Sequence, residues 1–187
     1  VLNELKAHTD TGQPAPFDSD DWIELYNAGL SAVTLTNWYL SDDAGDLKKS
    51  AIRGTDVISA GGRQAYTENN DFHSNRVDGF GLNKAAEQVF LSYLPGNTND
   101  RVADAVAFKG QEIADSLGRH PDGDPYWNAL SPTFDAANTV PSSHVVITEI
   151  MYYPGPTNAP DNTVEEFIEI CNATPQLVTL ENAEGSW

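Results

Sequence analysis

The sequence predicts an all-β fold, a sandwich or a barrel, on three observations. Apolar and polar residues alternate with a period of two over many short segments, as they do in strands with one buried face. Clusters of Gly, Pro, Asn and Asp separate these segments about every eight to twelve residues. Helical periodicity is almost absent, and residues 83–88 (NKAAEQ) predict one turn of helix at most.

The first strong strand signal is WIELY at residues 22–26, which is followed by turn residues at 27–29. Turns are predicted at residues 60–62 (AGG) and 95–97 (PGN), and a loop at residues 42–46 (DDAGD). Further strands are predicted, in order, at residues 33–35, 38–40, 56–58, 64–66, 88–91 and 102–108. Residues 116–138 are rich in Gly, Pro, Asp and Asn and predict an irregular segment that closes over the sheet.

The alternation also predicts which side chains form the core. Eight apolar residues occupy the inward positions of the predicted strands: Ile23, Leu25, Val33, Leu35, Val89, Leu91, Val106 and Phe108.

The chain is strongly acidic, with a formal net charge of -18. All ten Lys and Arg residues lie between Lys6 and Arg119, so the last third of the chain carries no basic side chain except histidine. Such a surface repels phosphate, so we expect no nucleic-acid partner and no membrane insertion. Cations, basic partners or a simple contribution to solubility fit this charge better. The single Cys171 lies in an apolar alternation and is interpreted as a small core residue.

One sequence motif occurs twice in the chain, at an offset of 145 residues. VLNEL at residues 1–5 aligns with VITEI at 146–150, and WIELYNA at 22–28 aligns with FIEICNA at 167–173. A third block, VTL at 33–35, aligns with VTL at 178–180. Three blocks at one offset indicate an internal repeat of domain size. The sequence therefore predicts a complete domain over residues 1–140, a linker over 141–144 and the first part of a second repeat over 145–187.

Patterns of catalytic or metal-binding residues are weak. The four histidines lack metal-ligand spacing, and neither a nucleophile elbow nor a phosphate-binding loop occurs. We therefore expect no enzyme activity and no cofactor. Acidic loops at residues 18–21, 42–46 and 122–124 leave weak calcium binding open, with Asp42, Asp43 and Asp46 as the candidate ligands, against the simpler interpretation of solvated loops.

Two further sets of residues have a structural and a functional interpretation. Glu4 and Glu24 recur as Glu149 and Glu169, and paired carboxylates can act in acid–base chemistry or bind a metal. The structural interpretation is preferred: Arg119 follows a glycine in a predicted turn, so we expect it to form a partly buried ion pair with a strand carboxylate, Glu24. A set of aromatic residues predicts either core packing or a platform on which sugars stack: Trp22, Tyr26, Trp38, Tyr39, Tyr126 and Trp127.

The second repeat makes a separate prediction. Ile168 and Ile170 repeat Ile23 and Leu25, yet most strands of their own domain are not in the sequence. An isolated hairpin is marginally stable in water and its edges accept further strands. We expect Ile168 and Ile170 to form an exposed strand that packs on another surface, which is the first unit, a second copy of the chain or a partner that supplies strands. The alternative is that the sequence is part of a longer chain.

The residues now described resemble the lamin tail domain family, an immunoglobulin-like module of nuclear lamins and of many bacterial extracellular proteins. The resemblance runs along the first unit through residues 3–5 (NEL), 21–27 (DWIELYN), 33–43 (VTLTNWYLSDD), 58–62 (ISAGG) and 116–123 (SLGRHPDG). Trp127 and Asn138 continue it, and residues from 145 resemble the start of a second copy. In the second copy, Asn182-Ala183 stands where the first unit has Asn37-Trp38.

The resemblance implies an immunoglobulin-like β-sandwich and a role without catalysis. It implies an interaction or adhesion module of a secreted or cell-surface multidomain protein of the bacterial kind, with a protein or a surface glycan as partner. The alternative is a carbohydrate- or calcium-binding accessory module of a larger extracellular hydrolase.

Overall fold

A computed structural model describes residues 1–7, 21–73, 79–111, 113–139, 145–152, 165–172, 181–182 and 185–186 of the chain. The chain divides into two compact units, residues 1–142 and residues 143–187, and each is described by itself. The predicted linker at residues 141–144, the acidic residues 18–20 and the repeated VTL block at 178–180 lie outside the described residues.

The first unit consists almost entirely of β-strands. Its strands are β1 (Leu2–Lys6), β2 (Trp22–Tyr26), β3 (Val33–Thr34), β4 (Trp38–Ser41), β5 (Ser50–Ala51), β6 (Val57–Ile58), β7 (Arg63–Thr67), β8 (Ala86–Tyr93), β9 (Arg101–Lys109), β10 (Ser116–Arg119) and β11 (Trp127–Leu130). A single π-helical turn, Glu68–Phe72, follows β7. The prediction of a helical turn at residues 83–88 was wrong, because β8 begins at Ala86 and pairs with β9 along its whole length.

The strands form two antiparallel sheets with a common core. The first sheet has the order β11-β10-β1-β2-β7, and the second has the order β5-β4-β8-β9. β3 and β6 form a separate two-stranded sheet. The predicted all-β sandwich is therefore confirmed, while the immunoglobulin-like topology stays a prediction.

The apolar core contains side chains of both large sheets. Leu5 and Ile23 of the first sheet lie in one buried cluster with Leu40, Val89 and Leu91 of the second. Every predicted core residue is buried except Val33, which is partly buried and packs against the cluster. β3 has only two residues and lies outside both large sheets, which accounts for this difference.

The first sheet is also buried on its outer face. Trp22 points away from the core cluster yet is fully buried, and its ring meets that of Phe134 edge to face at a centroid distance of 5.2 Å. The turn after β10 and residues 131–139 after β11 therefore close over the sheet, as the sequence predicted. The prediction that the segment from Ser116 is irregular throughout was wrong, because it also contains β10 and β11.

The second unit contains two short antiparallel sheets. β12 (Val145–Met151) pairs with β13 (Phe167–Asn172), and β14 (Glu181–Asn182) pairs with β15 (Gly185–Ser186). No third described strand pairs with β12 or β13. Among the helices of the described residues, none is long and apolar enough to cross a membrane.

Candidate functional site

Two carboxylates face each other inside the first unit. Glu4 of β1 and Glu24 of β2 are partners in the antiparallel register, and both are fully buried on the outer face of the sheet. The register shifts between Leu2 and Glu4, which is a β-bulge. The bulge allows Asn3 and Glu4 to make outer-face contacts while Leu2 and Leu5 both belong to the core.

Glu4 is held by hydroxyl groups and a backbone amide. Ser116 Oγ donates to Glu4 Oε1, and Thr133 donates its N–H to Oε1 at 3.1 Å and its Oγ1–H to Oε2 at 2.6 Å. Burial raises the pKa of Glu4, and these hydrogen bonds oppose the increase. The Glu4 carboxylate thus connects β1 to Ser116 of β10 and to Thr133, which follows β11.

Glu24 has fewer partners. Asn3 Nδ2 donates to Glu24 Oε1 at 2.8 Å, and Oε2 accepts no hydrogen bond from the described residues. Burial raises the pKa of Glu24 to about 7, against the effect of the Asn3 hydrogen bond and of the Arg63 guanidinium. A carboxyl group with this pKa is partly protonated at neutral pH, which lowers the free energy required to bury it.

Two asparagines link this carboxyl pair to the turn after β10. Asn3 Nδ2 also donates to Asp122 Oδ1 at 3.0 Å, and Asn3 Oδ1 accepts the Gly123 N–H at 3.0 Å. Asn138 Nδ2 donates to the carbonyls of Asn3 and Arg119 at 3.2 and 2.8 Å. These hydrogen bonds form a connected network that fixes the turn at Asp122 and Gly123, and Asn138 after β11, on the sheet.

The predicted ion pair between Glu24 and Arg119 was wrong. Arg119 Nη2 pairs with both carboxylate oxygens of Asp104 at 3.1 Å, and its Nε donates to the Leu2 carbonyl at 2.8 Å. β1 lies between β10 and β2 in the sheet, so Arg119 reaches the end of β1 and the facing strand β9 instead of Glu24. Its guanidinium carbon also lies 4.6 Å from the centre of the Trp127 ring.

The acidic loop after β4 is internally bonded. Asp42 pairs with Lys49 at 2.7 Å, Asp43 Oδ1 accepts the Gly45 N–H at 2.7 Å, and Asp46 Oδ1 accepts the Lys48 N–H at 3.1 Å. No group of three potential metal-ligating side chains occurs within the described part of the chain. Calcium binding by Asp42, Asp43 and Asp46 stays a prediction.

The six aromatic residues divide between core packing and the surface. Trp22 is buried, Tyr126 is exposed, and the remaining four are partly buried. Arg63 lies over the Tyr26 ring and Lys48 over the Tyr39 ring, with cation-to-centroid distances of 5.5 and 5.6 Å. Arg63 and Lys48 therefore cover ring faces of Tyr26 and Tyr39 on which a sugar would stack. Carbohydrate binding stays a prediction.

The β12–β13 hairpin repeats the β1–β2 hairpin position by position. In β1–β2 the partners are Leu2 and Leu25, Glu4 and Glu24, Leu5 and Ile23, and Lys6 and Trp22. In β12–β13 they are Ile147 and Ile170, Glu149 and Glu169, Ile150 and Ile168, and Met151 and Phe167. Every pair is displaced by the same 145 residues, and the bulge recurs between Ile147 and Glu149. The sequence repeat is therefore a repeat of strand register.

One side-chain hydrogen bond of the β1–β2 hairpin also recurs in the β12–β13 hairpin. Thr148 occupies the position of Asn3, and its Oγ1 donates to Glu169 Oε1 at 2.5 Å, as Asn3 donates to Glu24. The two hairpins therefore share their backbone register, their bulge and a hydrogen bond to the second carboxylate.

The two hairpins differ in burial. Leu2, Leu5, Ile23 and Leu25 expose 2% or less of their surface, whereas the equivalent Ile147, Ile150, Ile168 and Ile170 expose between 49% and 63%. Ile168 and Ile170 lie on β13, on a strand with one described neighbour. Cys171, interpreted from the sequence as a core residue, is also exposed, because no described strand or sheet covers its side of the hairpin. The described residues thus contain a sheet surface of core composition without its cover.

Sequence reasoning missed most of the polar network. Asp104, Asp122 and Thr133 come from three separate segments, and no spacing in the sequence predicts that they meet Arg119, Asn3 and Glu4, respectively. The one available signal was the recurrence of two glutamates at the same offset as the strands. Comparison of the chain with family models, with curated proteins and with solved structures gave no match.

Proposed function

We propose that this chain is a non-catalytic interaction module of a secreted or cell-surface multidomain protein, of the lamin-tail-like kind, and that it engages a partner polypeptide through the β12–β13 hairpin. The observation that carries the proposal is the difference in burial between equivalent residues of the two hairpins. The extracellular setting follows from the resemblance and from the acidic charge, and is part of the proposal.

Energetics support an interaction at this surface. Complete burial of an isoleucine side chain is worth roughly 1.5–3 kcal/mol. Since Ile147, Ile150, Ile168 and Ile170 are about half exposed, a partner that covered them would recover roughly 1 kcal/mol from each. Strand addition at the hairpin edges that have no neighbour among the described strands supplies main-chain hydrogen bonds and a defined register in addition.

The first unit supports a role without catalysis for its buried carboxyl pair. Glu4 and Glu24 lie under the turn after β10 and the residues after β11, and their hydrogen bonds are to groups of the protein itself. Their contacts hold the closing segment in place, so the pair acts as a structural element of the sandwich.

A selection from a displayed library of random peptides tests the proposal. The immobilised full chain is expected to enrich peptides with strand-forming sequences, and enrichment should be lost when Ile147 and Ile168 are both replaced by Asp. Leu30→Asp is the matched control, because Leu30 is a fully exposed apolar residue of the first unit. Absence of enrichment, or enrichment that the Ile147→Asp/Ile168→Asp chain retains, would contradict the proposed function.

A further inference from the structure

The first unit shows what covers the outer edge of a hairpin of this type. There, β10 pairs antiparallel with β1, with Gly118 opposite Glu4 and Leu117 opposite Leu5. The equivalent edge of β12 has no described neighbour. The equivalent positions on that edge are Glu149 and Ile150.

The side chains of β10 complement those of β1, the strand with which it pairs. A Cβ atom at Gly118 would lie 3.1 Å from Glu4 Cγ and 2.5 Å from Leu130 Cδ1, so a residue with a side chain does not fit there without displacement. Ser116 Oγ supplies a hydrogen bond to the Glu4 carboxylate, and Leu117 packs against the apolar core. A hydroxyl residue, an apolar residue and a glycine therefore follow each other on the strand.

Charge decides between the partners that could supply such a strand. Residues 143–187 contain seven acidic residues (Glu149, Asp161, Glu165, Glu166, Glu169, Glu181 and Glu184) and no Lys or Arg. A second copy of the chain would bring a further net charge of -18, which opposes association. The β10 strand instead ends in Arg119, so a strand of its type carries a positive charge to an acidic surface.

We infer that the edge of β12 that has no neighbour among the described strands binds an antiparallel β-strand of a partner polypeptide, with a glycine opposite Glu149, an apolar residue opposite Ile150 and a hydroxyl residue that donates to the Glu149 carboxylate. This inference rests on the proposed function and specifies its partner. The bound strand extends the two-stranded sheet by main-chain hydrogen bonds, and the glycine allows it to approach the carboxylate closely.

A peptide from the chain itself is the probe. A fluorescein-labelled peptide with the sequence of residues 113–131 contains β10 and β11, and in it Asp115→Asn, Asp122→Asn and Asp124→Asn leave Arg119 as the one fully charged side chain. Titration with the full chain, followed by fluorescence anisotropy, is expected to give saturable binding. The same peptide with Gly118→Val should bind at least about tenfold more weakly, because in the first unit a Cβ at this position lies 3.1 Å from Glu4 Cγ and 2.5 Å from Leu130 Cδ1, a residue that the peptide also contains. This control leaves the protein unchanged, so misfolding cannot explain a loss.

Protein variants locate the binding site. Ile150→Asp should weaken binding by about tenfold or more, and Leu30→Asp should leave it unchanged. Equal binding of the Gly118→Val peptide, or unchanged binding by Ile150→Asp, would overturn the inference, because the peptide would then occupy another site. A wild-type dimer in sedimentation velocity that Ile150→Asp dissociates would also overturn it, because a second copy would hold the edge.

The two proposals fail in different ways. If the peptide library is enriched through the hairpin while the peptide of residues 113–131 does not bind, the interaction surface stands and the β10-like partner is wrong. If neither experiment gives binding that depends on the hairpin, both proposals are wrong.

Discussion

Glu4 lies directly opposite Glu24 across the β1–β2 ladder, and both carboxyl groups are fully buried. Carboxylates on facing residues of two paired strands repel each other when both are ionised. Burial further increases the free energy needed to ionise them. Hydroxyl and amide donors surround Glu4, whereas Glu24 has Asn3 as its one hydrogen-bond donor among the side chains described. The pair therefore makes the stability of the first unit depend on pH.

Replacement of Glu24 by Gln should remove much of this pH dependence. The pKa of Glu24 rises from its ordinary value of 4.5 to about 7 in the folded chain. Its contribution to stability is therefore complete below pH 4.5 and is lost as the pH rises to about 7. Between pH 5 and pH 7.5 we expect the wild-type free energy of unfolding to fall relative to that of Glu24→Gln by roughly 2–3 kcal/mol.

Urea denaturation of both chains at several pH values measures this difference. Glu169→Gln is the matched control, since Glu169 holds the equivalent position in the second hairpin and is exposed. Parallel pH profiles for wild type and Glu24→Gln would show that Glu24 does not titrate in this range.

Arg119→Ala should destabilise the first unit by roughly 3 kcal/mol or more. The substitution removes hydrogen bonds to the carbonyls of Leu2 and Asp124, and it leaves the Asp104 carboxylate without its cation. Arg119→Lys should restore little of the loss, because an ammonium group lacks the planar fork that reaches all three partners.

Thermal unfolding compares these variants with Arg101→Ala. Arg101 also lies over an aromatic ring, that of Tyr93, but it is exposed. A melting temperature for Arg119→Ala as high as that of the Arg101→Ala control would count against the structural role of Arg119.

The order of strands in the two sheets explains why Arg119 pairs with Asp104 and not with Glu24. Alternation predicted β2 and β9 within a residue or two and nearly all of the core, because burial on one sheet face imposes a period of two on the sequence. The order of strands across a sheet leaves no such period. Arg119 and Glu24 belong to strands that β1 separates, and Asp104 comes from the opposite sheet.

The second hairpin was easier to predict for a related reason. A repeated sequence implies repeated register, so the positions of Ile168 and Ile170 followed from those of Ile23 and Leu25. The bulge and the Thr148 contact did not follow, because they depend on backbone geometry at one residue. Likewise, the sequence did not predict the π-helical turn at Glu68–Phe72, because the residues after β7 show no helical pattern.

Gly118→Ala should destabilise the first unit by roughly 1–3 kcal/mol, since the added methyl group overlaps Leu130, Asn138 Nδ2 and Glu4. Gly54→Ala is the control, because a Cβ at Gly54 makes only ordinary contacts, the nearest at 3.4 Å from Thr36 Oγ1. Chemical denaturation of the two variants measures the difference. Equal free energies of unfolding would mean that β1 and β10 do not approach as closely as described.

Ile168→Asp should reduce the binding of an apolar fluorescent dye to the native chain. Ile168 lies beside Ile150 and near Ile147 and Ile170 on one exposed face, and a carboxylate there interrupts the apolar surface. Leu30→Asp adds the same charge at an isolated exposed site in the first unit and should leave dye fluorescence nearly unchanged. Equal fluorescence of wild type and Ile168→Asp would show that the face is covered in the free chain.

Amide hydrogen exchange by NMR tests the central claim most directly, namely that β12–β13 is a copy of β1–β2 that no other described strand covers. Ladder amides of β1 and β2 lie inside a packed sandwich, so they should exchange through opening of the whole unit. The equivalent amides of β12 and β13 in the free, monomeric chain should exchange about a thousandfold faster or more, as expected for a two-stranded sheet without packing. Equal protection of the two ladders in the monomer would contradict the claim, because the second hairpin would then need no partner.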